Sequence, residues 1–326
     1  MNERHNPISP REVGGFLLRA LFSARPRRRA VISVLFLVHI IMFQLSCADR
    51  FVGSSATVSN LPRRIVSLAP SVTETLFAVG AGDRVVGVTM YCNWPAEVCE
   101  LPKVGQFARF NFEKILALRP DIVVASRDAP SETVAYELDQ YGIKTTAVEA
   151  KTIDGAIESV RAVGRAVGNE TEADELAADM ERRVRNLKKR LEGVERVKAI
   201  IVFDHEPFII AGPGTFADDI IELAGGENIA ADAYVNYPQY SIERLVIEGP
   251  DVIVEAAHGG GYGDSNAKKI MDFWRQWSII PAVAHNRIAI VDADLVSRPG
   301  PRIIDGLEAV AAALHPDLFA DGESSR

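Results

Sequence analysis

Apolar residues along this chain fall into two spacings. Short β-branched runs read as buried strands: Arg64 to Leu68, Arg84 to Thr89, Lys144 to Val148, Val197 to Phe203, Val252 to Glu255 and Ile288 to Asp292. Among them lie stretches of helical spacing: Val72 to Val79 ended by Gly80, Phe216 to Leu223 ended by Gly225-Gly226, and about Arg302 to Leu314. Ser71 or Thr73 is the expected cap of the first. Loops are expected around Tyr91, Trp94 and Pro95 and from Phe208 to Gly214. From Glu170 to Glu195 the chain is strongly charged, yet Leu176, Met180, Val184, Leu187, Leu191 and Val194 recur at steps of four and three, which predicts one long amphipathic helix. Asn169 with Glu172 three positions on has the form of a capping box, and Gly193 marks fraying at the far end.

One phrase is written twice. Glu113-Lys-Ile-Leu-Ala-Leu-Arg-Pro-Asp-Ile-Val-Val returns 130 residues later as Glu243-Arg-Leu-Val-Ile-Glu-Gly-Pro-Asp-Val-Ile-Val. In each copy a glutamate and a basic residue open a short helix, Pro-Asp stops it, and an apolar strand follows. Strands separated by helices imply parallel pairing, so the chain is expected to form two similar α/β lobes with mainly parallel sheets. The long helix falls between them as a strut.

Charge separates the N-terminus from the rest. Residues 1–29 hold seven Arg and two Glu, a net +5 within a whole-chain −8, which leaves −13 for everything downstream. Such acidity repels phosphate backbones and argues against nucleic acid. Behind Arg25, Arg27, Arg28 and Arg29 runs the 16-residue apolar stretch Ala30 to Leu45, which reads as an export signal and is short for a membrane span. Ser46-Cys47 ends it in the manner of a bacterial lipoprotein signal, although Gln44 stands where leucine is usual. Three fates fit: lipid on Cys47, an uncleaved signal anchor, or ordinary cleavage. All three place the folded part on the periplasmic or extracytoplasmic side of the inner membrane. In that oxidising setting Cys92 and Cys99 form either a local disulfide or two separate buried thiols. The expected division is a signal segment over 1–47, a linker over 48–61, one lobe over 62–168, the interlobe helix over 169–195, a second lobe over 196–317 and a tail over 318–326.

Several motifs resemble one family. Arg64-Ile-Val-Ser-Leu-Ala-Pro-Ser-Val-Thr-Glu, Leu101-Pro-Lys-Val-Gly, Phe112-Glu-Lys-Ile-Leu-Ala-Leu-Arg-Pro-Asp, Gly225-Gly-Glu-Asn and Ser297-Arg-Pro-Gly-Pro-Arg are similar to those of periplasmic substrate-binding proteins whose two lobes are bridged by one rigid helix. The resemblance spans nearly everything from Pro62 to Pro316 and is greatest to the branch that supplies cobalamin, vitamin B12, to ABC importers. It implies two Rossmann-like lobes, a ligand cleft between them, a corrinoid as transported ligand, no catalytic cofactor, and a monomer that docks on an ABC permease with its ATPase subunits. It assigns Tyr91, Phe107, Phe208 and Tyr237 to aromatic packing on the flat corrin, and Asp294 and Arg298 to its amide rim. Glu113 and Glu243 match the positions that enter arginine pockets of the permease, one per lobe, in agreement with a carboxylate favoured in a first helical turn. Where that branch often has tryptophan this chain has Phe107 and Tyr237, which leaves other planar ligands open.

Other readings are weaker. Haem carriers of this type usually place a tyrosine after Val-Gly, where this chain has Gln106, and a ferric siderophore is a further alternative. Zinc or manganese carriers need His and carboxylates from both lobes, whereas no histidine occurs between Ala48 and Asp204. His258 before Gly259-Gly260-Gly261 is a loop histidine on the same reasoning. An exported hydrolase would have to use His205, Asp204, Glu206 and Ser241, but no nucleophile elbow, HExxH or Walker loop is present.

Overall fold

The computed structural model describes residues 61–106, 109–127, 129–257 and 264–320. Cys47, Phe107, His258 and the glycines after it lie outside the described residues. The first lobe contains β1 (Ile65–Ser67), α1 (Pro70–Ala78), β2 (Val85–Gly87), the short pair β3 (Gly105–Gln106) and β4 (Arg109–Phe110), α2 (Phe112–Ala117), β5 (Ile122–Ser126), α3 (Ala129–Asp139), β6 (Lys144–Val148) and α4 (Ile153–Val167). The long helix α5 (Glu170–Arg190) follows. The second lobe comprises β7 (Val197–His205), β8 (Phe208–Ile210), α6 (Phe216–Leu223), β9 (Gly226–Asn228), α7 (Ile242–Glu248), β10 (Val252–Ala257), α8 (Asp264–Arg275), α9 (Pro281–Ala284), β11 (Ile288–Asp292), α10 (Ala293–Ser297), α11 (Ile303–Leu314) and α12 (Pro316–Phe319).

Each lobe is built on a parallel sheet, in the order β2-β1-β5-β6 in the first and β11-β10-β7 in the second. Strand β8 adds antiparallel to the later half of β7, and β9 adds parallel to its beginning. Phe208 to Ile210 is therefore a strand rather than loop. Alternate side chains of the strands enter different cores. Ile122 and Val124 of β5, Ile201 of β7 and Val254 of β10 share one cluster, whereas Val123 and Ala125, and separately Ile200 and Ile253, cover the opposite faces.

The shared cluster explains how the lobes are joined. It runs without interruption from the first sheet through α4 and α5 to Ile220, Val252 and Leu307 of the second lobe. Helix α5 buries Ala173, Ala177, Met180, Val184 and Leu187 along one stripe, while Arg183 pairs with Asp305 and Glu308 of α11 at 2.6 and 2.7 Å. Its 21 residues span about 31 Å. Helix α4, which is not among the expected helices, carries the apolar face that α5 packs on.

Capping differs from expectation at two helices. Thr73 does not cap α1; its hydroxyl donates back to Ala69 O, the N-cap residue being Ala69 with Pro70 at the first turn. Asn169 precedes α5 without a capping bond, because its amide is taken by Val79 O at 2.8 Å and its carbonyl by Arg84. Long-range contacts outcompete the local cap there. The helix also ends at Arg190, short of Glu195.

The twice-written phrase builds the same local unit twice. Asn111 and Ser241 cap α2 and α7 by accepting from the backbone N–H of Lys114 and Arg244 at 2.8 and 3.2 Å. At the far end Asp121 accepts from the N–H groups of Arg63 and Arg64 at 2.7 and 2.9 Å, and Asp251 accepts from that of Lys198 at 3.1 Å. The Pro-Asp turn thus ties the start of β5 to β1, and the start of β10 to β7.

Candidate functional site

In the first sheet the chain passes from β1 to β2 on one side and from β5 to β6 on the other, and this reversal between the neighbours β1 and β5 opens a crevice beyond their carboxyl ends. A cleft of about 390 Å³ lies there. Leu68 and Ala69 after β1, Pro70 and Ser71 at the head of α1, Thr89 and Tyr91 after β2 and Ser126 at the end of β5 form one wall. Asp294, Ser297, Arg298 and Pro299 from the second lobe form the other. They are presented there because Asp292 at the end of β11 caps α10, its carboxylate accepting from Asp294 N at 2.9 Å.

Polar groups bind the two walls to each other. Arg298 pairs with Asp294 at 2.7 Å within its own lobe, and donates across the boundary to Asn93 Oδ1 at 2.6 Å and to Tyr91 O at 3.2 Å. Asn93 Nδ2 returns a bond to Asp294 at 3.0 Å. Below this layer Glu74 of α1, with only 3% of its side chain exposed, accepts from Arg298 at 3.2 Å and from Arg302 at 2.7 and 2.9 Å. The guanidinium of Arg302 also lies over the Trp94 ring, 4.7 Å from its centroid. Burial pushes Arg302 toward losing its proton, but the bonds and charge of Glu74 outweigh that and raise its pKa above the ordinary arginine value. A carboxylate beside a guanidinium, rimmed by hydroxyls and an otherwise apolar wall, can accept from and donate to neutral polar groups of a ligand at once.

Of the residues singled out in the sequence, Tyr91, Asp294 and Arg298 come together at this cleft. Tyr237 stands apart from its walls, 45% exposed, with its ring edge-to-face on Phe203 at 5.7 Å. Phe208 is 7% exposed and packs in the second lobe's outer core beside Phe273 and Trp274, so it offers no free face to a ligand. Strand pairing with β7 turns it inward. Glu113 and Glu243 are both exposed in the first turns of their helices. The carboxyl of Glu243 is held below its usual range by its own backbone N–H and by the Ser241 hydroxyl.

Among the described residues Cys92 and Cys99 are free thiols. Cys92 is buried, its sulfur 3.1 Å from both Thr73 Oγ1 and Thr89 Oγ1, whereas Cys99 is exposed on the turn Ala96–Glu100. One thiol is committed to the lobe interior and the other to solvent. Ser241 serves as a helix cap. His205 is bound to the buried carboxylate of Glu255 at 3.0 Å and stacks on Phe273 with 4.0 Å between ring centroids. The groups that the sequence reading passed over are Glu74, Asn93, Trp94 and Arg302. Glu74 and Arg302 end the motifs Pro70-Ser-Val-Thr-Glu and Ser297-Arg-Pro-Gly-Pro-Arg, and two motifs of opposite charge, one per lobe, were the available signal.

Two α/β lobes around a cleft, joined through a helix, define a binding protein of bacterial uptake, and residues 65–295 match the model of the periplasmic binding protein family, to which this chain belongs. A vitamin B12-binding protein of Vibrio cholerae serotype O1 is 30% identical over 272 residues, 83% of this chain and 96% of that protein. An uncharacterized ABC transporter substrate-binding lipoprotein of Bacillus subtilis, YvrC, is 34% identical over 276 residues, 82% and 85% of the two chains. The crystal structure of the periplasmic vitamin B12 binding protein BtuF of Vibrio cholerae superposes with a TM-score of 0.70 at 30% identity, covering 78% of this chain and 97% of that one.

Proposed function

We propose that this protein captures a cobalamin-like corrinoid in the interlobe cleft and delivers it to an ABC permease. The observation that carries the reading is the Asp294–Arg298 pair facing Tyr91 across a mainly apolar cleft. A corrinoid presents a flat apolar macrocycle edged with carboxamides, and this arrangement matches both parts: the Tyr91 ring against the macrocycle, and carboxylate and guanidinium against amide N–H and C=O. Phe107 and Tyr237 are the further aromatic candidates for the ligand in this reading, while Phe208 has no direct part. The similarity to vitamin B12-binding proteins supports the choice of ligand. No covalent step and no catalytic cofactor is involved.

Glu113 and Glu243 are the handles for the permease in the same reading, supported by their exposure and by the low pKa of Glu243. The protein acts as a monomer on the extracytoplasmic face, tethered by lipid at Cys47 or by its signal segment. Because the lobes share one continuous core, binding leaves their arrangement nearly unchanged, and release follows when the permease parts them.

The test is direct binding. Residues 48–326 are mixed separately with cyanocobalamin, dicyanocobinamide, haemin and a ferric siderophore, followed by titration calorimetry and by the absorbance of retained ligand. Stoichiometric corrinoid binding is expected. Retention of haemin or siderophore with no corrinoid signal overturns the ligand assignment, and turnover of an added substrate overturns the transport role.

A further inference from the structure

Glu74 belongs to the first lobe, yet its strongest partners belong to the second. Three guanidinium bonds reach it, one from Arg298 and two from Arg302, and the three side chains are 3%, 13% and 18% exposed. Glu74 and Asp294 supply two negative charges and the arginines two positive ones, so the cluster is balanced only while all four remain in contact. The backbone between the arginines is pressed on the other lobe: a Cβ on Gly300 would lie 3.1 Å from Ser71 O and 3.2 Å from Ser71 Cα. Arg298 touches Glu74 and also forms part of the cleft wall.

We propose that Glu74 is a positioning residue for the ligand site, its buried carboxylate clasping Arg298 and Arg302 across the lobe boundary, aiming Arg298 into the cleft and forming the contact that must part before ligand leaves. The proposal rests on the binding role above for its ligand. Arg298 has rival partners in Asp294, Asn93 and Tyr91 O, and without Glu74 nothing draws its Nη1 toward the floor of the cleft. Arg302 without Glu74 loses both of its carboxylate hydrogen bonds and keeps the Trp94 ring and the more distant charges of Asp294 and Asp292. Leaving a buried carboxylate half-paired is costly, so the clasp opens as a unit.

Two measurements on the full-length chain test this, one of them independent of ligand. Hydrogen exchange is followed in the ligand-free protein over residues 70–76 and 298–304, and the dissociation rate of dicyanocobinamide is followed by stopped flow. Glu74→Gln and Arg302→Gln are each expected to speed exchange in both segments, with β10 unchanged, and to raise the dissociation rate about tenfold or more. The double variant should be no worse than either single, because both remove one network, and Glu74→Asp should fall between wild type and Glu74→Gln. Additive effects of the two single variants, or exchange and dissociation both unchanged, overturn the proposal. If Glu74→Gln does not fold, Arg302→Gln and Glu74→Asp decide alone. If wild type binds no corrinoid, the binding role falls, and the exchange data by themselves uphold or overturn the clasp.

Discussion

Arg119 and Gly249 hold the same place in the duplicated phrase and share a left-handed backbone, with φ of 47° and 59°. Glycine takes this conformation without strain, whereas a side chain there costs roughly 1–2 kcal/mol. Arg119 is exposed at the end of α2, immediately before the Pro-Asp turn that requires the reversal. Arg119→Gly is therefore expected to stabilise the protein by about 0.5–1 kcal/mol, after allowing for the greater entropy of glycine in the unfolded chain, and Gly249→Ala to destabilise it by about 1 kcal/mol. Urea unfolding of the two variants checks both signs. A loss of stability on Arg119→Gly would show that the arginine side chain contributes more than its backbone strain.

Helices α4 and α5 approach closely at Gly164. A Cβ placed there would lie 2.2 Å from Ala173 Cβ and 2.9 Å from Asn169 O, one neighbour being a buried methyl and the other backbone. Neither can swing aside as a flexible side chain does. Gly164→Ala should force the helices apart and lower the unfolding free energy by about 1–3 kcal/mol, despite alanine's higher helix propensity. Increased stability in a denaturant titration would refute this.

Glu255 occupies a core position of β10, between Ile253 and Ala257 on a face otherwise aliphatic, and is tolerated because His205 and the indole N–H of Trp274 both bond to it. Burial pushes the His205 pKa down, but the Glu255 hydrogen bond and charge, with Asp204 and Glu206 adding to them, leave it raised. A raised folded-state pKa gives stabilisation that is fully present below the unfolded value, about 6.5, and is lost as pH rises through the folded one. The stability difference between wild type and His205→Gln should accordingly be larger near about pH 5 than near about pH 9. A gap that is constant or grows with pH would contradict the pairing. Glu255→Ala, which strands both donors, should cost roughly 3–5 kcal/mol.

The parts of the fold legible in the sequence are those that local polarity determines. Strands Lys144 to Val148 and Ile288 to Asp292 and helix Phe216 to Leu223 stand where their spacing placed them. Helix α4 is absent from the expected elements although Ile153, Ala156, Ile157, Val160, Val163 and Val167 form a buried apolar stripe along it. Asn169 shows the limit of local rules more sharply. Its neighbourhood spells a capping box, yet Arg84 just before β2 and Val79 just after α1, both distant in sequence, take the amide instead. The site divides in the same way. The resemblance points to Tyr91, Asp294 and Arg298, which line one cleft, whereas the clasp on Glu74 depends on contacts more than 200 positions apart, which no local pattern encodes. Phe208 was misplaced because an aromatic after a strand reads alike whether it turns to a cleft or into its own core.

Glu113 and Glu243 lead to the last prediction. Both carboxylates are exposed, and each sits in the first turn of a helix whose cap is a different residue, Asn111 or Ser241, so the cap bond survives the loss of either. Exposed charges without a buried partner contribute little to stability. Glu113→Ala/Glu243→Ala should therefore fold normally and bind corrinoid with a Kd within about twofold of wild type, because neither residue touches the cleft. Uptake by cells depending on this protein should fall to background, with each single variant intermediate, since two separate carboxylates meet a cationic partner at two points. Corrinoid binding by calorimetry and uptake by radiolabel separate the two effects. Normal uptake by the double variant would remove both residues from the docking surface, and loss of binding in the purified double variant would place them in the ligand site instead.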